Sequence, residues 1–197
     1  MTTAANPTVA IVYHSGYGHT HVLAEAVAAG VTQAGATPKL VRIESAAQDF
    51  TAALEAVSAA DGVIFGAPTY MGDISSPLRA FFEATAGIWM KAGWRDKPAG
   101  GFTNGLTFGG EKHHSLSSMF VLAMQHGMIW AGPGVPLGNT EGNQGSKPEA
   151  ANRLGYALGA VAQSDNAAPD VTPPSGDKEF ASLLGTRIAG LAGRLKA

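Results

Sequence analysis

The chain has 197 residues, 45% of them hydrophobic and 14% charged: the length of one large domain (1–197), with a composition that excludes general disorder. There is no cysteine, which removes disulfides, thiol nucleophiles and thiolate-bound metal centres together. The 13 basic and 15 acidic residues nearly cancel, so no global field attracts a nucleic acid or an anionic membrane.

The first Lys or Arg is Lys39, so the start of the chain lacks the basic region and apolar run of a secretory signal. The longest uncharged apolar stretch, Met119 to Ala131, is broken by Gln125, His126 and Gly127 and is too short to span a bilayer. A soluble cytoplasmic protein is expected, with residues 1–7 a flexible arm.

Thr8 to Tyr13 is a short β-branched apolar run, the pattern of a strand covered on both faces. From Thr20 the spacing turns helical, with Leu23, Val27 and Val31 on one face and Gly35 as a stop. Pro38 to Ile43 reads as a second strand, Phe50 to Ala59 as a helix with Leu54 and Val57 inward, and Gly62 to Gly66 as a third strand that ends in the loop 67–72. A helix is expected from Ser76, with Pro77 in its first turn, then a fourth strand from Lys97 to Thr103. A helix from Ser115 to His126 and a fifth strand from Gly127 to Ala131 follow. Residues 132–176 hold many turn formers and read as an irregular insertion. The last helix opens at Pro174 and places Phe180, Leu184, Ile188, Leu191 and Leu195 on one face. Strands alternating with helices imply a doubly wound parallel α/β sheet, with ligands beyond the carboxyl ends of the strands.

Three loops at that edge carry unusual sequence. The first, Ser15, Gly16, Tyr17, Gly18, His19 and Thr20, leads into a helix N-terminus and offers hydroxyls and amides suited to a single phosphate. It lacks the lysine of a nucleoside-triphosphate loop and the third glycine of a dinucleotide fingerprint. An ordinary βα turn with Ser15 as N-cap would use the same residues, and the loop alone does not decide between them. The second, Pro68, Thr69, Tyr70, Met71 and Gly72, has a rigid start, a flexible end and large side chains between. It could lie along the edge of a flat ring or be a plain turn. The third, Thr103, Asn104, Gly105, Leu106, Thr107, Phe108, Gly109 and Gly110, offers further exposed amides. His14, His19, His21 and the pair His113-His114 have no carboxylate at motif spacing, so no metal site is expected. Ser15 is not flanked as a nucleophile elbow. Trp130 and the stripe from Met119 to Met124 read as core.

Together these stretches resemble the flavodoxin-like superfamily, and specifically the WrbA family of NAD(P)H:quinone oxidoreductases. The matching motifs are Ser-x-x-Gly-His-Thr at 15–20, Gly-Ala-Pro-Thr-Tyr-Met-Gly at 66–72 and Ser-Ser-Pro-Leu-Arg-Ala-Phe-Phe-Glu at 75–83. Ala-Gly-Ile-Trp at 86–89, Gly-Gly-Glu at 109–111 and His-Gly-Met at 126–128 complete the set, in family order and spacing, over the chain to about residue 132.

The resemblance implies a flavodoxin-like five-stranded parallel sheet with helices on both faces, in which the chain re-enters the sheet late, so that Tyr156 to Ala162 could be a strand although its alanines favour helix. It also implies FMN as cofactor, NADH or NADPH as donor, a small-molecule quinone as acceptor and a homo-oligomer, dimer or tetramer. Residues 15–20 would hold the ribityl phosphate and residues 68–72 would border the isoalloxazine. Residues 103–109 would meet its pyrimidine edge and the ribityl chain, and His126 would approach the flavin from a neighbouring subunit. Tyr17 and Trp89 would line the cavity for nicotinamide and quinone, which would react in turn through hydride transfer at the flavin. The flavin does the chemistry, so no catalytic side chain is assigned. Tyr70 stands where the family often has Arg, and Leu106, Thr107 and Phe108 stand where it has glycines, so pocket width and charge are open. The alternatives are a flavodoxin-type one-electron carrier, an NAD(P)H:FMN reductase that releases its flavin, and a fold that no longer binds FMN. Carriers are usually shorter and strongly acidic, unlike this chain at net charge −2.

Overall fold

In the computed structural model, which describes residues 6–136 and 147–196, the first apolar run is strand β1 (Thr8–Tyr13), buried from Val9 onward. Its β-branched residues pair in parallel with β2 (Thr37–Arg42) on one side and β3 (Gly62–Tyr70) on the other. Between them run α1 (His19–Gln33) and α2 (Thr51–Ala59). A two-residue strand β4 (Asp73–Ile74) folds back antiparallel onto β3 and leads into α3 (Ser76–Ala84) and the short α4 (Ala86–Trp89). Then come β5 (Pro98–Gly105), α5 (Lys112–Gln125), β6 (Ile129–Trp130), β7 (Ala160–Gln163) and α6 (Ser175–Lys196).

The sheet order is β2-β1-β3-β5, with β6 and β7 both parallel on the outer edge of β5. This is the expected flavodoxin-like order, with its fifth strand in two pieces. The strand expected over Gly127 to Ala131 shrinks to Ile129 and Trp130, which meet only Pro98 and Ala99. The second half comes from Ala160–Gln163, beside Phe102 to Gly105. The stretch read as irregular, 132–176, therefore contains a strand, overlapping the one the resemblance allowed over Tyr156 to Ala162, while residues 137–146 of it, and 1–5 of the arm expected to be flexible, lie outside the described residues. Ala160, Val161 and Ala162 are all buried, and burial on a pleated surface outweighs alanine's helical preference.

Strand β3 also runs further than expected, through Ala67 and Pro68 to Tyr70. Pairing with β1 ends at Gly66, while pairing with β5 continues to Pro68 opposite Asn104. Beyond Gly66 the side toward β1 is therefore an open edge, where a proline without N–H is tolerated.

Helices α1 and α6 cover one face, and α2, α3 and α5 the other. The first pair approaches closely because two glycines meet backbone: a Cβ on Gly30 would lie 1.9 Å from the Ser182 carbonyl oxygen, and one on Gly185 2.1 Å from that of Val27. On the opposite face Phe81 stacks on Trp94, and Phe82 meets Phe65 edge-on. Side chains of this size contribute about 1.5–3 kcal/mol each when fully buried. Helix α5 starts three residues earlier than expected, at Lys112, and Leu54 is half-buried. Met119 is core as expected, Trp130 is half-buried, and Met124 is exposed. In α6, Phe180, Leu184 and Ile188 are buried and Leu191 is half-buried, whereas Leu195 is exposed a turn beyond the last covered residue, Ala192.

Candidate functional site

At the carboxyl edge of the sheet lies a cleft of about 490 Å³, within the range of small-ligand sites. Its first wall is the turn from β1 into α1, represented by Gly16, Tyr17, His19 and Thr20. Gly18 adopts φ +93°, which a side chain would strain, and a Cβ there would sit 2.6 Å from Pro169. Among the described residues, no acceptor takes the N–H groups of residues 16–20, whereas Ser15 Oγ accepts from His21 N–H at 3.1 Å. Ser15 is thus buried beneath the turn and ties it to the helix, and Arg42 of β2 donates to the Ser15 carbonyl from outside at 3.3 Å. Unpaired amides at the positive end of a helix dipole suit an anion without a basic side chain.

The second wall is the end of β3, with Pro68, Thr69 and Tyr70. Tyr70 meets Tyr17 and His14 edge-on, each with ring centroids 6.3 Å apart, and burial raises its phenol pKa. His14, buried beside it, bonds Ser75 Oγ at 2.8 Å, and burial lowers its pKa. Met71 stands fully exposed in the turn beyond, with Gly72 beside it, and neither lines the cleft. That turn is anchored by Asp73, which accepts from Ser118 Oγ at 2.6 Å and from Arg79 at 3.0 Å.

The third wall is the end of β5, with Asn104, Gly105 and Leu106. Thr103 lies beneath it, fully buried, donating to the Ala67 carbonyl at 2.8 Å and 3.1 Å from Thr69 Oγ1. Thr107, Phe108 and Gly109 continue the loop outside the lining, with the Leu106 and Phe108 side chains both 62% exposed, so neither fills the cleft as a buried plug.

A fourth wall escaped the sequence reading: Ser164, Asp165, Asn166, Ala167 and Pro169, the loop after β7. Ser164 donates to Asn104 Oδ1 at 2.8 Å, and His19 Nε2 bonds the Ala167 carbonyl at 2.8 Å, tying this loop to the first turn. The available signal was the same as elsewhere, a short apolar run followed by a polar turn, hidden by alanines.

Besides the loop residues that lie outside the lining, two expected residues sit well away from the cleft within this chain. Trp89, 46% exposed, follows α3, whose nine residues run back from the cleft edge by about 13 Å at 1.5 Å per residue. It therefore does not face Tyr17 across the cleft. His126 lies beyond the far end of α5, buried against Trp94 at 4.5 Å between ring centroids, with Nε2 2.9 Å from Thr85 Oγ1. Burial lowers its pKa, and Nδ1 has no partner among the described residues.

The geometry thus joins an anion-ready helix terminus to a cleft walled by aromatic rings and an aliphatic side chain, a fit to a planar aromatic group carrying a phosphate. A model of the NADPH-dependent FMN reductase family matches residues 9–141. The chain belongs to that family. The chain is 39% identical over 187 residues to "Flavodoxin FldP" of Pseudomonas aeruginosa, covering 95% of this chain and 97% of that one. It is 32% identical over 209 residues to "NAD(P)H dehydrogenase (quinone)" of Geobacter sulfurreducens, covering 95% and 98%. A crystal structure of a WrbA-like flavodoxin from Agrobacterium tumefaciens superposes with a TM-score of 0.74 at 34% identity, covering 95% and 98%. The WrbA-like resemblance read from the sequence is borne out.

Proposed function

We propose that this chain is an FMN-dependent NAD(P)H oxidoreductase that passes two electrons to small quinones, donor and acceptor using one cleft in turn. One observation carries the reading: five successive amides, 16–20, without an acceptor among the described residues, open beside a mostly apolar cleft, in a chain related along its length to NAD(P)H dehydrogenases (quinone). Bound FMN would supply the electron transfer itself. The amides of Gly16 to Thr20 would take the phosphate, with buried Thr20 adding its hydroxyl. Pro68, Thr69 and Tyr70 would lie along one edge of the ring, with Met71 and Gly72 at the turn beyond. Asn104, Gly105 and Leu106 would face the other edge, with Thr103 beneath and Thr107 to Gly109 at the rim. Tyr17, 78% exposed at the mouth, would stack on whichever planar reactant enters, and holding the reactants in contact supplies much of the rate.

No described helix is long and apolar enough to cross a membrane. A cytoplasmic location and a homo-oligomeric state belong to the same proposal. The oligomer would supply the cleft with the aromatic side chain that Trp89 cannot provide within its own chain. The test is an anaerobic absorbance experiment on the purified protein with FMN. Bleaching by NADH or NADPH and recovery on adding benzoquinone, at catalytic turnover, supports the reading. A flavin spectrum indifferent to both nucleotides refutes it. The 39% identity to a protein named a flavodoxin favours a second reading, a one-electron carrier. It predicts reduction in two resolved one-electron steps with negligible NAD(P)H turnover.

A further inference from the structure

Lys112, the first residue of α5, is fully buried, and among the described residues no carboxylate pairs with it. Its Nζ donates instead to three successive carbonyls: Thr107, Phe108 at 3.3 Å and Gly109 at 3.4 Å. Gln163 Nε2 takes the Leu106 carbonyl at 2.9 Å, and Ser164 N–H takes that of Gly105 at 3.1 Å. All five carbonyls from 105 to 109 are therefore claimed. Among the described residues, the N–H groups of 106–110 donate to no protein acceptor. In a trans peptide the N–H points opposite to the C=O of the same unit, so drawing the carbonyls toward Lys112 turns the amides to the other side. Arg153 holds the same loop from a further direction, with its guanidinium carbon 5.8 Å from the centre of the Phe108 ring.

Burial makes a cation expensive here and pushes the Lys112 pKa down to about 8, with Asp177 offsetting and Arg153 adding to the effect. A neutral amide would still offer two donors to the loop at a lower desolvation cost, so the retained charge calls for a use. We propose that Lys112 is a positioning residue whose buried cation turns the 106–110 amides toward the bound flavin and makes the site favour electron-rich, reduced FMN over oxidised FMN. This rests on the FMN reading above.

The test uses the full chain, stripped of flavin, as wild type, Lys112→Gln and Lys112→Met. Dissociation constants are measured for oxidised FMN and, anaerobically, for dithionite-reduced FMN. Lys112→Gln keeps donors without charge. Its preference for reduced over oxidised FMN falls by about tenfold or more, the scale of one unit charge acting through an effective dielectric of about 20. Lys112→Met loses the same preference and also binds oxidised FMN more weakly, because the loop carbonyls are no longer held. A folded Lys112→Gln protein with the wild-type preference overturns the proposal. Wild-type protein that binds no FMN overturns the FMN reading instead.

Discussion

Arg153→Ala tests how the segment between the two halves of the fifth strand supports the cleft. Arg153 and Asp177 form a two-pronged pair, Nε to Oδ1 at 2.7 Å and Nη2 to Oδ2 at 2.9 Å, with side chains only 5% and 2% exposed. Asp177 sits in the first turn of α6 and also accepts the Gln163 N–H at 2.9 Å. Removing the guanidinium strands a carboxylate that water cannot reach. The expected cost is about 3–5 kcal/mol, the range for breaking a buried pair from one side, or roughly 6–20 °C in Tm for a chain of this length. Arg153→Met combined with Asp177→Asn removes both charges and keeps an acceptor for Gln163, so it should cost less than the sum of the single changes by about 2 kcal/mol. Urea unfolding followed by circular dichroism at pH 7 measures the wild type, Arg153→Ala, the single variants Arg153→Met and Asp177→Asn, and their combination. FMN affinity should fall with Arg153→Ala as well, because Gln163 holds the Leu106 carbonyl and β7 carries the fourth wall. A single-variant cost below about 1 kcal/mol, the scale of surface ion pairs, would refute the reasoning.

Gly18→Ala should weaken FMN binding by about tenfold, from the strain of a side chain at positive φ compounded by the clash with Pro169, as read by flavin fluorescence. Tyr17→Ala should raise KM for the quinone and leave FMN affinity unchanged. Trp89→Ala should also spare FMN affinity, because its side chain lies outside the cleft of its own chain, and weaker FMN binding in that variant would contradict this placement. Burial lowers the pKa of both His14 and His126, so the unfolded chain takes up protons that the native state refuses. Their contribution to stability is present above about pH 6.5 and declines as pH falls toward the folded values, by up to about 1.4 kcal/mol per pH unit for each. Urea unfolding from pH 7 to 5 checks this, and a flat profile would count against buried neutral imidazoles.

Most of the fold was legible because its segments declare themselves by period. Val9 to Tyr13 is apolar throughout, and Leu23, Val27 and Val31 recur at helical spacing and are buried. Less visible features depended on partners that the sequence does not display. Pro68 looks like a breaker until the pairing with β1 is seen to stop two residues short of it, at Gly66. Ala160–Gln163 looks helical until it is found filling the edge of β5 that β6 leaves open. That one strand explains the missed wall at Ser164 to Pro169, since a loop is recognised as part of a site only once its strand is. Lys112 gave no local signal, because its acceptors are backbone carbonyls. His126 and Trp89 carried the family's spacing, but their place within one chain follows from where α5 and α3 end.

In the proposed site the phosphate of FMN is held at the turn into α1 by the amides of Gly16 to Thr20 and the Thr20 hydroxyl, without a basic side chain. Amide NMR of the 15N-labelled apo-protein, titrated with FMN and in parallel with riboflavin, tests it most directly. The amides of Gly16 to Thr20 should shift strongly with FMN and little with riboflavin, while those of 104–110 respond to both. Equal responses of 16–20 to the two flavins, or none to either, would contradict it.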